Sequence, residues 1–219
     1  MRNQKQGILI VIEGVDGVGK TTAIHNAYNR LKALGVDVVK TSETAKEVEG
    51  IDNTFSSTLV NLIKESFTQE QADPTSQSLL VNAARRAHYQ NVLLPLLRAG
   101  KIILMDRFYL STFFNYQSEC PVNGAIYGLA MDKFKPDFTI VLRGDAATSR
   151  RRISARVEQL DVTDQSSLRR FATIQNRLLD YVSKNPGVVI DATCSIEEVA
   201  DDLTDQVLYA MDEIEERRQ

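Results

Sequence analysis

Several things are scarce in this chain, and each shortage closes off a class of function. Its two cysteines, Cys120 and Cys194, stand far apart with no companion at metal-ligand spacing. Neither a disulfide framework nor a thiolate metal site is expected, and a reduced, cytoplasmic setting is the simplest reading. The two histidines, His25 and His88, are equally isolated and fit packing or surface roles. The longest strongly apolar run, Ile8 to Ile12, falls far short of the roughly 18 residues of a membrane span. The opening MRNQKQG is too short and polar to precede a signal-peptide core. Basic excess is missing too: 26 Lys and Arg face 29 Asp and Glu, a net charge of −3. No nucleic acid and no membrane is therefore expected among the partners. Repeats, low-complexity tracts and linkers are absent, and 219 residues suffice for one well-buried core but hardly for two. One domain over 1–219 is expected.

What is present alternates between two kinds of pattern. ILIVI (8–12), VDVVK (36–40), KIILM (101–105), FTIVL (138–142) and GVVID (187–191) read as strands. The first and third are too continuously apolar for a half-exposed sheet. Helical periodicity fills the intervals, notably Ser76 to Arg98 and Leu168 to Ser183, and EIEERRQ reads as the end of an amphipathic helix. In 76–98 the recurrence of Leu79, Leu80, Ala83, Ala84 and Ala87 predicts a core-facing stripe. Alternating strands and helices predict an α/β fold with a parallel sheet covered on both faces.

Directly after ILIVI, and directly before a helical stretch, stands GVDGVGKTT. Gly14, Gly19, Lys20 and Thr21 satisfy the G-x-x-x-x-G-K-[ST] pattern in the context it needs. Glycines let the backbone curl until several N–H groups face one anion, and the helix adds its positive end. Lys20 can reach the outer phosphates of ATP, and the Thr21 hydroxyl can ligate Mg²⁺. A chance match in a chain of this length has odds on the order of one in a hundred, and the correct flanks lower them. Gly14, Asp16, Gly17, Val18, Gly19, Lys20, Thr21 and Thr22 form the candidate nucleotide-binding set. Asp16 is unusual among phosphate-binding amides. It suits Mg²⁺ or a hydroxyl of a second molecule, and the bland alternative is a helix cap.

A second anion site is expected at MDRFYLS (105–111), at the carboxyl end of a strand where ligands of parallel sheets gather. Asp106 can hold the metal, and Arg107 offers a fork that fits phosphate. Arg85, off the expected apolar stripe, is free to join it. A third cluster, RGDAATSRRRISAR (143–156), places Arg152 and Arg156 on one helical face while Arg150 and Arg151 point away. With the polar stretch that follows, it reads as a lid over about 143–167. An arginine beside a transferring phosphoryl group is worth about 10³–10⁵ in rate.

EGVDGVGKTT, the segment 79–112 and PDFTIVL (136–142) together resemble the thymidylate kinase family of nucleoside monophosphate kinases, over most of the chain. The resemblance implies a three-layer P-loop NTPase fold with a five-stranded parallel sheet. It also implies a homodimer, and transfer of the γ-phosphate of ATP to dTMP. It assigns Lys20 and Thr21 to ATP and Mg²⁺, Asp16 to the acceptor sugar and Mg²⁺, Arg85 and Arg107 to the acceptor, and Ser111 to its base. Gly17 stands where some members carry an arginine; members lacking it draw that charge from the lid, which here is arginine-rich. Three departures concern the acceptor side. The family's T-R-E-P is here Thr41, Ser42, Glu43 and Thr44, leaving Lys40 or Lys46 as possible replacements for the arginine. Val81 replaces a phenylalanine that stacks on thymine. The family's A-Y-Q is displaced by one residue into Asn115, Tyr116 and Gln117.

Two other functions fit part of this pattern. A deoxynucleoside kinase has a similar fold but needs a carboxylate base near a sugar hydroxyl, which Glu43 could supply. A nucleotide-binding protein without transfer would keep the loop, although the N-K-x-D signature of guanine-reading switches does not occur.

Overall fold

A computed structural model describes residues 6–69, 73–116, 120, 122–131, 134–155 and 169–218, with backbone alone for 66–69, 115, 116 and 123. The chain runs through β1 (Ile8–Glu13), α1 (Lys20–Ala33), β2 (Val38–Thr41), β3 (Glu47–Val48), β4 (Ile51–Asp52), α2 (Thr54–Gln69) and α3 (Pro74–His88). There follow α4 (Leu94–Arg98), β5 (Ile102–Asp106), α5 (Tyr109–Ser111), α6 (Asn123–Met131), β6 (Phe138–Arg143) and α7 (Ala146–Ser154). The described chain closes with α8 (Phe171–Val182), β7 (Gly187–Asp191) and α9 (Ile196–Arg218).

Five strands form one parallel sheet in the order β2-β5-β1-β6-β7, and β3 and β4 make a small antiparallel pair. The continuous apolar runs follow from burial on both faces. Ile8, Ile10, Ile12 and Leu104 pack with Ile24, Leu31, Leu203 and Val207 of α1 and α9. Their alternate neighbours Leu9, Val11, Ile103 and Met105 pack on the opposite side, with Val92, Leu93, Ile174 and Leu178. Side chains alternate along a strand, so each run supplies both cores. The expected three-layer α/β fold is the one observed. It sets the carboxyl ends of β1, β5 and β6 along one rim.

Two expectations need correction. β2 begins at Val38, not Val36, because Val36 still belongs to the turn that closes α1. The Val36 amide donates to Leu31 O (3.0 Å) and the Gly35 amide to Lys32 O (3.0 Å), with Gly35 at φ +80°. That is a Schellman turn. The second correction concerns α3. Leu79 is 54% exposed and Ala83 is exposed as well, while the buried residues are Gln77, Ser78, Val81, Asn82, Ala84, Arg85 and His88. Its buried apolar residues Val81 and Ala84 pack with Ile63 of α2, and Leu59, Val60 and Leu80 lie against that small cluster. The rest of the buried face is polar because it borders the site, not the main cores. Past His88 the helix widens into a π turn at Tyr89–Leu93, where the Leu94 amide reaches back to Tyr89 O. Pro95 comes next, with no N–H to give and a ring that crowds the preceding turn.

Candidate active site

The loop between β1 and α1 is shaped by glycine where close packing demands it. Gly19 caps α1 in the left-handed region (φ 107°), and no side chain caps the helix. Asp16 is therefore not a helix cap, and the first-turn amides of α1 stay available to an anion. At Gly17 (φ +78°) a Cβ would lie 2.5 Å from Ser149 O and 2.9 Å from Ile153 Cγ1. Glycine lets α7 rest directly on the loop, and from there Arg152 Nη1 donates to Val18 O at 2.8 Å. A side chain at position 17 and an arginine delivered by α7 thus compete for one space. Arg150 and Arg151 are exposed, as the helical spacing predicts. Arg156 and the later part of the expected lid lie outside the described residues, as does Gln117, and no side chain is described for Tyr116.

Lys20 is buried (6% exposed), and its amine donates to Gly14 O at 3.0 Å and Val15 O at 3.1 Å. Burial, and then the Arg107 cation, push the amine down to about 8, against the pull of Asp16, Asp106 and Glu13. Arg107 reaches the same oxygen: its Nη1 donates to Gly14 O at 2.9 Å and to Ser111 Oγ at 2.8 Å. Its Nη2 is paired with Asp16. Two cations converging on one carbonyl repel each other, and nearby carboxylates hold them there. An anion with several free oxygens suits the same place.

Arg107 has φ +67°, a left-handed conformation that costs a non-glycine residue about 1–3 kcal/mol. Its amide donates to Ile12 O (3.0 Å), and its neighbour is anchored by Glu13. The fully buried Glu13 carboxylate accepts the Phe108 N–H at 2.9 Å and the Ser111 hydroxyl at 2.6 Å. Burial pushes the Glu13 carboxyl above the usual range, and Arg107, Ser111 and the Phe108 amide pull it back. Sequence reading passed over Glu13. The available signal was a carboxylate completing a wholly buried strand. Ser111, expected at the acceptor base, has its hydroxyl hydrogen-bonded between Glu13 and Arg107.

Arg85 is 1% exposed. Its Nε donates to Glu43 Oε1 at 2.8 Å, its Nη2 to Thr112 Oγ1 at 2.6 Å and its Nη1 to Asn82 Oδ1 at 3.4 Å. The guanidinium lies over the Phe108 ring, 5.4 Å from the centroid. Sequence reading missed Thr112 and Asn82. Val81 sits one turn earlier on the same buried face, against α2.

Thr21 Oγ1 donates to Asp106 Oδ2 at 3.0 Å, so two hard oxygens meet beside the loop. No group of three or more His, Cys, Asp or Glu side chains that could hold a metal occurs among the described residues. One hydroxyl and one carboxylate, completed by phosphate oxygens and water, fit Mg²⁺ and not a metal needing an all-protein cage. Two clefts flank the pair. One, of about 200 Å³, is lined by Val18, Gly19, Thr22, Ala23, Arg152, Ala192, Cys194, Ile196 and Val199. The other, of about 460 Å³, is lined by Thr21, Thr22, Ile24, His25, Lys40, Thr41, Ser42, Ala45 and Asp106. Lys40 thus shares a cleft with Ser42, its amine 2.8 Å from His25 Nδ1; Lys46, exposed like Lys40, does not line that cleft. Cys194 is exposed at the edge of the first cleft; Cys120 is buried.

A loop built for phosphates, with a second cation from the neighbouring strand held beside it, defines a phosphotransferase of the nucleoside monophosphate kinase class. The comparisons narrow the class. The family model described as thymidylate kinase matches residues 12–203. A thymidylate kinase of Enterococcus faecalis is 33% identical over 205 residues, covering 90% of this chain and 93% of that protein. One from Haemophilus ducreyi is 32% identical, covering 94% of this chain and 95% of the relative. One from Mesoplasma florum is 31% identical, covering 92% and 95%. The chain belongs to the thymidylate kinase family.

Proposed function

We propose that this chain transfers the γ-phosphoryl group of ATP to dTMP, giving dTDP. The observation that carries the reading is the convergence of Lys20 and Arg107 on the Gly14 carbonyl. It sets a cation for the donor next to a cation for the acceptor. In this reading Gly14, Gly17, Val18, Gly19, Lys20, Thr21 and Thr22 hold the phosphates of ATP through loop amides, the amine and the start of α1. The cleft of about 200 Å³ under Arg152 takes the donor's base end. Thr21 and Asp106 would hold Mg²⁺, which would supply positive charge to offset that of the donor phosphates.

Arg107 and Arg85 hold the acceptor phosphate, Asp16 and Glu43 orient them, and Val81, Ser111, Tyr116 and Gln117 border the acceptor. The acceptor phosphate is already ionised at neutral pH, so the chain needs no strong base. Its arginines offset the repulsion between two anions and keep them in line. Arg152 and Arg156 bring further positive charge as the lid, about 143–167, closes and excludes water. Glu43 as the base of a deoxynucleoside kinase is disfavoured, because its Oε1 is committed to Arg85.

A homodimer belongs to the same reading. Phe55 and Leu62, seven residues apart on α2, are 64% and 49% exposed and share one face, an apolar stripe suited to a second copy. The cytoplasm, where nucleotides and reduced thiols coexist, is the proposed location. No described helix is long and apolar enough to cross a membrane.

The deciding experiment screens the deoxynucleoside 5′-monophosphates with ATP and Mg²⁺ and follows ADP. dTMP is expected to be the best acceptor, and Lys20→Ala to abolish turnover. Preference for a purine acceptor would overturn dTMP, and turnover of thymidine alone would overturn the monophosphate kinase reading.

A further inference from the structure

We infer that Glu13 is a positioning residue for the transfer, setting the Arg107 guanidinium through Ser111 and the backbone of Phe108. The inference rests on the reading of Arg107 as the acceptor's phosphate ligand. Glu13 lines neither of the two clefts described above and lies 0% exposed at the end of β1, yet both its oxygens are directed at the segment that carries Arg107. One accepts the amide of Phe108, the residue immediately after the left-handed Arg107. That bond pins the chain just where the backbone is strained. The other accepts the Ser111 hydroxyl at 2.6 Å. Ser111 Oγ in turn accepts Arg107 Nη1 at 2.8 Å.

The direction of donation matters along this relay. A hydroxyl has one proton, and Ser111 gives it to Glu13, so its lone pairs face the guanidinium. Both described bonds to Glu13 come from donors, the role of an acceptor-only carboxylate. Replacing it with an amide puts an N–H where an acceptor is required, at either the Phe108 amide or Ser111. If the amide faces Ser111, the hydroxyl must accept from it and loses the place for its own proton. Either way the Arg107 fork is released from its setting beside Gly14 O and Asp16. Simple volume cannot explain the pattern, because Gln is nearly isosteric with Glu.

The test compares wild type, Glu13→Gln, Glu13→Asp and Ser111→Ala, measuring KM and kcat for ATP and for dTMP together with thermal unfolding. The expected result is that Glu13→Gln lowers kcat/KM for dTMP by about 10²-fold, as a misplacement near 1 Å does. KM for ATP is expected to stay within about threefold, since its ligands lie on the loop and α1. Ser111→Ala keeps the Phe108 anchor and should lose less. The double variant Glu13→Gln/Ser111→Ala should be no worse than Glu13→Gln alone, since both act on one relay. Glu13→Asp keeps the acceptor chemistry and should recover part of the activity. Equal loss for ATP and dTMP, or additive losses in the double variant, would overturn the inference. If Glu13→Gln fails to fold, Ser111→Ala decides, and unchanged dTMP kinetics in it would likewise overturn the proposal. A wild-type protein inactive on every deoxynucleoside monophosphate would instead refute the reading of Arg107 itself, a distinct outcome.

Discussion

Arg85 carries the sharpest quantitative expectation. Its side chain is 2% exposed and that of its partner Glu43 18%, so the pair sits in an environment where a lone charge is poorly solvated. Removing one member of a buried pair costs about 3–5 kcal/mol, while removing both is often near neutral. The two single variants are not equivalent. Arg85→Met leaves a carboxylate that still touches water, which places it near 3 kcal/mol. Glu43→Ala leaves a guanidinium with neutral partners only among its described bonds, Asn82, Thr112 and the Phe108 face, which places it near 5 kcal/mol. A chain of this size loses about 2–4 °C in Tm per kcal/mol. Arg85→Met should therefore melt about 6–12 °C lower, Glu43→Ala about 10–20 °C lower, and the double variant within a few degrees of wild type. Thermal denaturation at fixed pH and salt measures all three. A ligand saturating at a hundredfold over Kd adds about 2.7 kcal/mol. If Arg85 binds the acceptor phosphate, dTMP should raise the Tm of Glu43→Ala at least as much as that of wild type and leave Arg85→Met nearly unmoved. A Glu43→Ala protein as stable as wild type, or an Arg85→Met protein that dTMP still stabilises fully, would refute this account.

Gly17→Ala should force α7 off the loop, since the added Cβ would meet Ser149 O at 2.5 Å. ATP KM should rise more than acceptor KM, because Arg152 moves with α7. Thr21→Val keeps the shape and loses the oxygen beside Asp106, so the Mg²⁺ concentration for half-maximal rate should rise about tenfold or more. His88 is buried and its imidazole is pushed down to about 4 by desolvation, from 6.5. Above pH 6.5 it is neutral in both states, but as pH falls from 6.5 to about 4 only the unfolded chain takes the proton. That destabilises the fold by about 1.4 kcal/mol per pH unit, to a limit near 3 kcal/mol, and His88→Gln should flatten this part of the unfolding profile.

Strands were legible wherever burial left a continuous signature, as in Ile8 to Ile12, whose alternate side chains feed the two cores. The end of α9 was legible for the complementary reason: Val199, Leu203, Val207, Ala210 and Ile214 recur at helical spacing and pack on α1. α3 misled because hydrophobic periodicity assumes that a buried face is an apolar face. Here the face that is covered carries Gln77, Asn82, Arg85 and His88, and Leu79 points outward. The phosphate loop was legible because its chemistry is written in nine contiguous residues. The Glu13 relay was not, because its partners Phe108 and Ser111 are 95 and 98 residues away in the chain and meet it only once β5 pairs with β1.

The misses share a physical cause. Among the buried described residues, the charged ones are Glu13, Lys20 and Arg85. All three lie in the layer above the carboxyl ends of the strands, outside the two apolar clusters that flank the sheet. A buried charge is tolerated only where partners are already arranged around it, and for Glu13 and Arg85 those partners come from distant segments. Glu13 draws on Phe108 and Ser111 at the two ends of α5, Arg85 on the turn after β2 and on Thr112, and Lys20 on its own loop. Apolar patterning could therefore reveal the sheet and miss the polar layer, since its information is stored in pairings between segments. The same pairings give this layer its fixed geometry before any nucleotide arrives. Transfer between two anions needs such pre-set cations more than it needs any single strong base.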